Sequence, residues 1–318
     1  LNGPGGHIEQ TNAYLEHRSA LSYVAMCNEP GFVTTYRAKY PFDELARRMI
    51  DSGGESPFKV IALGAGDGYL EVRLVQNLLS RCKSPDIELL LFDISQPLCS
   101  GAYRHAAELL GDRPSVSVYA IQGTFHNLQR YTPLLATPER AHRRRVVCMF
   151  GNTFANLQNE IMFVRNSLLG FAPGDFLLLN VPAAMAAVDK PEEILRNDRR
   201  LAGQTSPYEK SAFDRHFIDL LRRYVPSIKN VELSASLDFE ACPVPGSYAA
   251  DIRATVNMVS GETKQFSMLY AKRYDQAQLD GKMAKEGWTP VAHWRYAEEY
   301  HPRLLLLYQR ARTDGDEK

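Results

Sequence analysis

From residue 58 onward, apolar and polar positions settle into a repeating rhythm. Short, nearly continuous apolar runs fall at 59–63, 87–92, 116–121, 145–150 and 176–181. Such runs suit strands buried on both faces. Between most of them the apolar positions change to helical spacing. Leu70, Val72, Leu74, Val75, Leu78 and Leu79 mark a helix over 70–81, and others are read over 96–110 and 158–169, stopped by Gly111 and Gly170. This alternation predicts an α/β fold with a doubly wound, Rossmann-like parallel sheet. Any ligand is then expected beyond the carboxyl ends of the strands.

The flanking segments lack the rhythm. Residues 7–57 read as helices and loops rich in aromatics (Tyr14, Tyr23, Phe32, Tyr36, Tyr40, Phe42), with a short amphipathic helix at 43–50. They suit either a packed helical cap or a lid whose tyrosines line a pocket. The stretch 184–248 carries helices at 192–201 and 211–224, the latter with an apolar stripe at Phe213, Phe217, Ile218, Leu220 and Leu221. Residues 251–259 and 264–269 alternate as antiparallel strands about the turn Ser260-Gly261-Glu262. A helix over 274–287 and an apolar strand over 303–309 follow. The expected organisation is a main domain of 58–183 and 262–318, a second, smaller substrate-binding lobe of 7–57 and 184–261, and flexible ends at 1–6 and 313–318.

Composition narrows the partners. Apolar residues make up 45% of the 318 positions and charged residues 23%, with a formal net charge of zero. That balance is ordinary for a soluble protein and favours neither nucleic acid nor an anionic membrane. The basic cluster of Arg140 and His142 to Arg145 reads as a solvated loop entering a strand. The apolar runs are too short to span a bilayer, and residues 1–6 lack the basic and apolar segments of a signal peptide. The five cysteines, Cys27, Cys82, Cys99, Cys148 and Cys242, are odd in number and not spaced as metal ligands. A reducing, cytoplasmic setting without a metal is expected.

The candidate chemistry begins where the first strand ends, at Gly64-Ala65-Gly66-Asp67-Gly68. The dinucleotide pattern needs a further glycine, and its place is taken by Tyr69 or Glu71, depending on the glycine from which one counts. The Gly-Lys-Ser/Thr of a phosphate loop is absent. The stretch instead resembles the first motif of S-adenosylmethionine-dependent methyltransferases. Asp93, at the end of the second strand, suits a ribose diol because a carboxylate accepts from both hydroxyls. Blander roles are open: Asp67 as a turn residue, and Asp93 as a cap on the next helix.

Four blocks resemble the histidine-specific methyltransferase family, which Nα-methylates histidine in ergothioneine synthesis and has relatives acting on tryptophan derivatives. They are 63–68, Phe92-Asp93-Ile94-Ser95, the stretch 150–157, and Lys272-Arg273-Tyr274-Asp275 with Gly287-Trp288 and the region of Trp294. The resemblance implies cofactor contacts at Gly64, Ala65, Gly66, Asp67, Asp93, Ile94, Ser95, Thr124, Phe125, Gly151 and Asn152, with S-adenosyl-L-methionine as the cofactor. Thr124 stands where the family has an acid. It implies acceptor contacts at Gly151, Asn156, Ala254, Leu269 and Ala271, and makes Asn156 and a lid tyrosine, Tyr40, the catalytic candidates. The family grips imidazole with an acid and a hydroxyl two positions apart. Aligned here, those positions hold Leu269 and Ala271, which favours an indole- or phenyl-bearing acceptor over histidine. Histidine methylation, aminopropyl or aminocarboxypropyl transfer, a dehydrogenase on a nucleotide fold and a non-catalytic binding module are the alternatives.

Overall fold

A computed structural model describes residues 6–7, 14–15, 17–54, 57–83, 85–131, 143–184, 190–201, 211–225, 227–296 and 302–312. The described residues fall into two compact units. One is drawn from Pro41–Val181, Gln276–Arg295 and Leu304–Lys318, the other from Leu1–Tyr40, Pro182–Asp275 and Tyr296–Arg303.

The first unit holds a seven-stranded sheet in the order β10-β11-β6-β5-β2-β3-β4. Its centre is β2 (Phe58–Leu63), parallel to β3 (Ile87–Asp93) on one side and β5 (Arg144–Met149) on the other. β4 (Val116–Gln122) extends it beyond β3, and β6 (Phe176–Pro182) pairs in parallel with β5. β2, β3 and β6 are buried along their whole length, so their side chains are mostly apolar without alternation. The edge strand β4 is partly exposed, as an edge must be. Helices α4 (Tyr69–Arg81), α5 (Gln96–Leu110), α6 (Glu160–Ser167) and α9 (Gln276–Lys285) follow β2, β3, β5 and the small unit's last strand in sequence. α3 (Phe42–Gly53) also belongs to this unit. β11 (Arg303–Arg310) is the strand read at 303–309. β10 (Trp288–Tyr296) was not read from the sequence, because Pro290 and a burial pattern without clean alternation hide it.

One polar pair interrupts the apolar interior. Lys59 on β2 and Glu88 on β3 stand directly opposite in register, 3.5 Å apart, both almost fully buried. The basic cluster is not a solvated loop as expected. Arg143 is 10% exposed and pairs with Asp86 at 2.7 Å, and Arg145 pairs with the buried Asp175 while lying 4.3 Å over the ring of Phe171. Aliphatic stems and planar guanidinium faces let arginine enter such a sheet end. Arg140 and His142 lie outside the described residues.

The smaller unit is built on a four-stranded sheet, β1-β9-β8-β7. β7 (Ile228–Asp238), β8 (Tyr248–Met258) and β9 (Thr263–Arg273) are antiparallel, and β1 (Gly6–His7) runs parallel to β9. Two expectations need correction. β9 pairs with β8 and belongs here, so the boundary read at 262 moves to Asp275, and the earlier boundary at 57 moves to Tyr40. β7 occupies part of a region read as helical insertion, because its polar half hides the strand alternation. The 260–262 turn is as expected, with Gly261 at φ +88°.

One face of this sheet carries Val231, Ile252, Ala254, Val256, Phe266 and Met268, and it packs on Phe213, Phe217 and Leu221 of α8 (Ala212–Tyr224). A bulge in β9 sets what faces where. Arg253 pairs with Ser267 but Ile252 pairs with Leu269, so Met268 is the inserted residue and tucks into the core. Ser211 caps α8 in a reciprocal capping box with Asp214. Against α8 lies α1 (His17–Cys27).

His216 of α8 is buried among Tyr14, Tyr23 and Phe217, with ring centroids 5.6, 6.3 and 5.2 Å away. Burial, outweighing the Ser19 backbone, lowers its pKa from 6.5 to about 4. In the unfolded chain the imidazole takes a proton near its ordinary value, and in the folded chain it resists. This contribution to stability is present above the ordinary value and is lost as pH falls from 6.5 towards 4. His216→Phe is expected to flatten the fall in stability across that window, measured by urea unfolding at several pH values. An unchanged slope would show that the acid sensitivity lies elsewhere.

Candidate active site

The backbone of the glycine turn is built before any ligand arrives. At the end of β2 the N–H groups of Gly64 and Ala65 both donate to Phe92 O of β3, at 2.9 and 3.0 Å. The chain then doubles back, with Gly64, Gly66 and Gly68 at φ of +70°, +57° and +74°. Those angles are strained for any residue with a Cβ. A Cβ on Gly68 would also lie 3.0 Å from Ala102 Cβ of α5. Asp67 accepts from the N–H of Tyr69 at 3.2 Å, a turn role at the start of α4.

Asp93 closes the turn from the neighbouring strand. Its two carboxylate oxygens accept from Gly66 N at 2.9 Å and Ser95 N at 2.8 Å. It is not the helix cap. Ser95 fills that place, accepting from Leu98 N at 3.4 Å, and is fully buried. Ser95, expected to contact the cofactor, has its hydroxyl engaged as the cap of α5, while Ile94 stands half-buried between the two. Burial raises the Asp93 pKa to about 6, against the lowering effect of the Ser95, Gly66 and Ile94 backbone.

Two further loops of this unit carry expected site residues. Thr124 Oγ1 lies 3.0 Å from His126 Nδ1, and the Phe125 ring stacks on His126 at 5.1 Å and meets Phe163 edge-on at 5.8 Å. The second loop follows β5. Gly151, at φ +67° and with open space where a Cβ would stand, starts a tight turn in which Asn156 N donates to Asn152 O at 2.8 Å. Asn156 carries a buried carboxamide oxygen with no hydrogen-bond partner. Such an atom costs about 1–3 kcal/mol unless something donates to it. Thr153, which sequence reasoning passed over, lies against Gly64. Nothing in the local sequence marks that contact, because it joins the ends of two strands.

The comparisons now bear on this geometry. A profile described as histidine-specific methyltransferase, SAM-dependent, matches residues 22–307. The chain belongs to this family of S-adenosylmethionine-dependent methyltransferases. Comparison with curated proteins finds no match. Among solved structures, the magnesium protoporphyrin IX methyltransferase ChlM of Synechocystis PCC 6803, with bound SAH, is similar at a TM-score of 0.50 and 10% identity, covering 94% of this chain and 97% of that one. The CcbJ methyltransferase of Streptomyces caelestis is similar at a TM-score of 0.44 and 17% identity, covering 86% and 98%. At such identities the likeness bears on the fold alone.

The enzyme's cofactor is thus S-adenosylmethionine, and the residues fit it. Three glycines at positive φ shape a turn that residues with a Cβ would strain, and Asp93 offers a buried carboxylate. A hydroxyl can donate only to the ionised form of that carboxylate without loss. Affinity for S-adenosylhomocysteine is therefore expected to drop as pH falls below about 6, by roughly tenfold per unit. Titration calorimetry of wild type and Asp93→Asn checks this, and a pH-independent wild-type affinity would contradict it.

In the smaller unit the expected acceptor contacts need correction. Ala254 is fully buried in the apolar core, and Leu269 packs on that core. Ala271 pairs with Ala250, two rungs along the same face as Leu269. The two do share a face; Leu269 packs there on the core that holds α8, while Ala271 is half-buried farther along β9. The opposite face carries the polar groups. Ser267 donates to the buried Asp251 at 2.6 Å, Arg253 pairs with Asp251, and the Tyr270 hydroxyl donates to Asp238. Tyr40 is buried with its ring 5.3 Å from that of Tyr296. Its neighbour Tyr36 lies under the guanidinium of Arg303, so these tyrosines are packed side chains of the unit.

Proposed function

We propose that the enzyme methylates a small, amino-acid-derived acceptor on nitrogen, with the acceptor's amino group held by Asn156. The observation that carries this is the buried, unpartnered carboxamide oxygen of Asn156. A carbonyl oxygen only accepts, so it calls for an N–H donor rather than a carboxylate. Bound S-adenosylmethionine supplies an electrophilic methyl group. The chain's own task is to aim a neutral amine lone pair at it and to keep water away. By accepting one N–H, Asn156 would fix the direction of the lone pair. It cannot remove the proton itself, which leaves that step to water.

The preference for an indole or phenyl group over imidazole rested on Leu269 and Ala271. Their place on the core face of β9 withdraws that support, so histidine stands level with aromatic acceptors. Five free thiols suit a reducing compartment, which favours the cytoplasm. Asn156→Ala is expected to raise KM for the acceptor about tenfold or more, the cost of one hydrogen bond to a charged or reacting group. The affinity for S-adenosylhomocysteine should change little. Steady-state kinetics with calorimetry would overturn the role if the cofactor affinity fell instead of the acceptor KM rising.

A further inference from the structure

The side chain that meets the glycine turn is Thr153. A Cβ on Gly64 would lie 2.8 Å from Thr153 Cγ2 and 2.9 Å from its Oγ1. Both branches of the side chain therefore crowd the place where a Cβ on Gly64 would stand. The hydroxyl is held from behind, donating to Phe150 O at 3.0 Å. A β-branched side chain with a fixed hydroxyl has one preferred rotamer and yields little. Three residues on stands Asn156. Between them the backbone is closed by the bond from Asn156 N to Asn152 O. The stretch 151–156 is thus a short, stiff link. One side of it presses on the turn that holds the methyl donor, and its far end carries the unpartnered carboxamide.

We infer that Thr153 is a positioning residue that couples the glycine turn to Asn156, so that filling the turn sets the place of the acceptor-facing carboxamide. Among the described residues, the three heavy atoms nearest to a Cβ at Gly64 all belong to Thr153. A displacement of the turn by ligand contact is therefore passed to Thr153 first. In-line transfer rewards this arrangement, because a misplacement of about 1 Å between donor and nucleophile costs on the order of a hundredfold in rate. The inference rests on the reading of Asn156 as the acceptor's partner for its functional meaning, but not for the coupling itself.

The coupling can be observed without an acceptor. In wild type, titration with S-adenosylhomocysteine should shift the side-chain amide resonance of Asn156. Thr153→Val keeps the branched shape and should keep the shift. Thr153→Ser keeps the hydroxyl, removes Cγ2 and should lose the shift, while its affinity for S-adenosylhomocysteine stays within about threefold by calorimetry. A shift that persists in Thr153→Ser, or one that is absent from wild type, would overturn the inference. Failure of the Asn156 reading would register elsewhere, as an unchanged acceptor KM in Asn156→Ala.

Discussion

Lys59→Met is expected to lower the unfolding free energy by roughly 3–5 kcal/mol, because it removes the cation opposite the buried Glu88 carboxylate. The pair stands directly opposite on the central strands β2 and β3, with side-chain exposures of 1% and 5%. Removing one partner strands the other where water cannot reach it. Removing both should be far milder, since Lys59→Met with Glu88→Leu replaces the pair with apolar groups of similar size. Urea unfolding of the single and double variants checks this. A single variant close to wild type would mean that Glu88 finds another partner. A double variant as unstable as the single would mean that the pair does more than neutralise itself.

Asp93→Ala is expected to weaken S-adenosylhomocysteine binding by roughly 1.5–3 kcal/mol, the range for hydrogen bonds to a charged group. Two losses combine. The carboxylate accepts from Gly66 N and Ser95 N and so braces the turn. In the cofactor role that the family resemblance implies, it would also accept from the ribose hydroxyls. Asp93→Asn separates these losses, because its amide oxygen can keep one backbone bond while the charge is gone. Calorimetry on both variants gives the test. An affinity unchanged in Asp93→Ala would remove the residue from the cofactor site.

The main domain was legible because buried parallel strands and amphipathic helices write different periods into the sequence. The runs at 59–63, 87–92 and 176–181 were long, apolar and bounded by turn residues, and they became β2, β3 and β6. Gly64, Gly66 and Gly68 were legible for a related reason, since their positive φ values leave little choice of residue. The smaller unit was harder. A strand half covered by a helix and half polar, like β7, gives no clean alternation. The bulge at Met268 was invisible, and a bulge inverts which residues share a face. That inversion is why Leu269, read as a ring contact, proved to pack on the lobe's core. Ser95 and Asp67 show a milder form of the same limit. Their types suit a cap, a turn or a ligand equally, and only hydrogen-bond geometry distinguishes these roles.

The most direct test is to measure adenosylhomocysteine release from S-adenosylmethionine across amino acids including histidine, dipeptides and indoles, for wild type and Asn156→Ala. Turnover is expected with an acceptor bearing a free amine, one methyl group added for each adenosylhomocysteine released, and a raised KM in Asn156→Ala. Release of methylthioadenosine instead, or turnover confined to indoles that lack an amine, would contradict the proposed function.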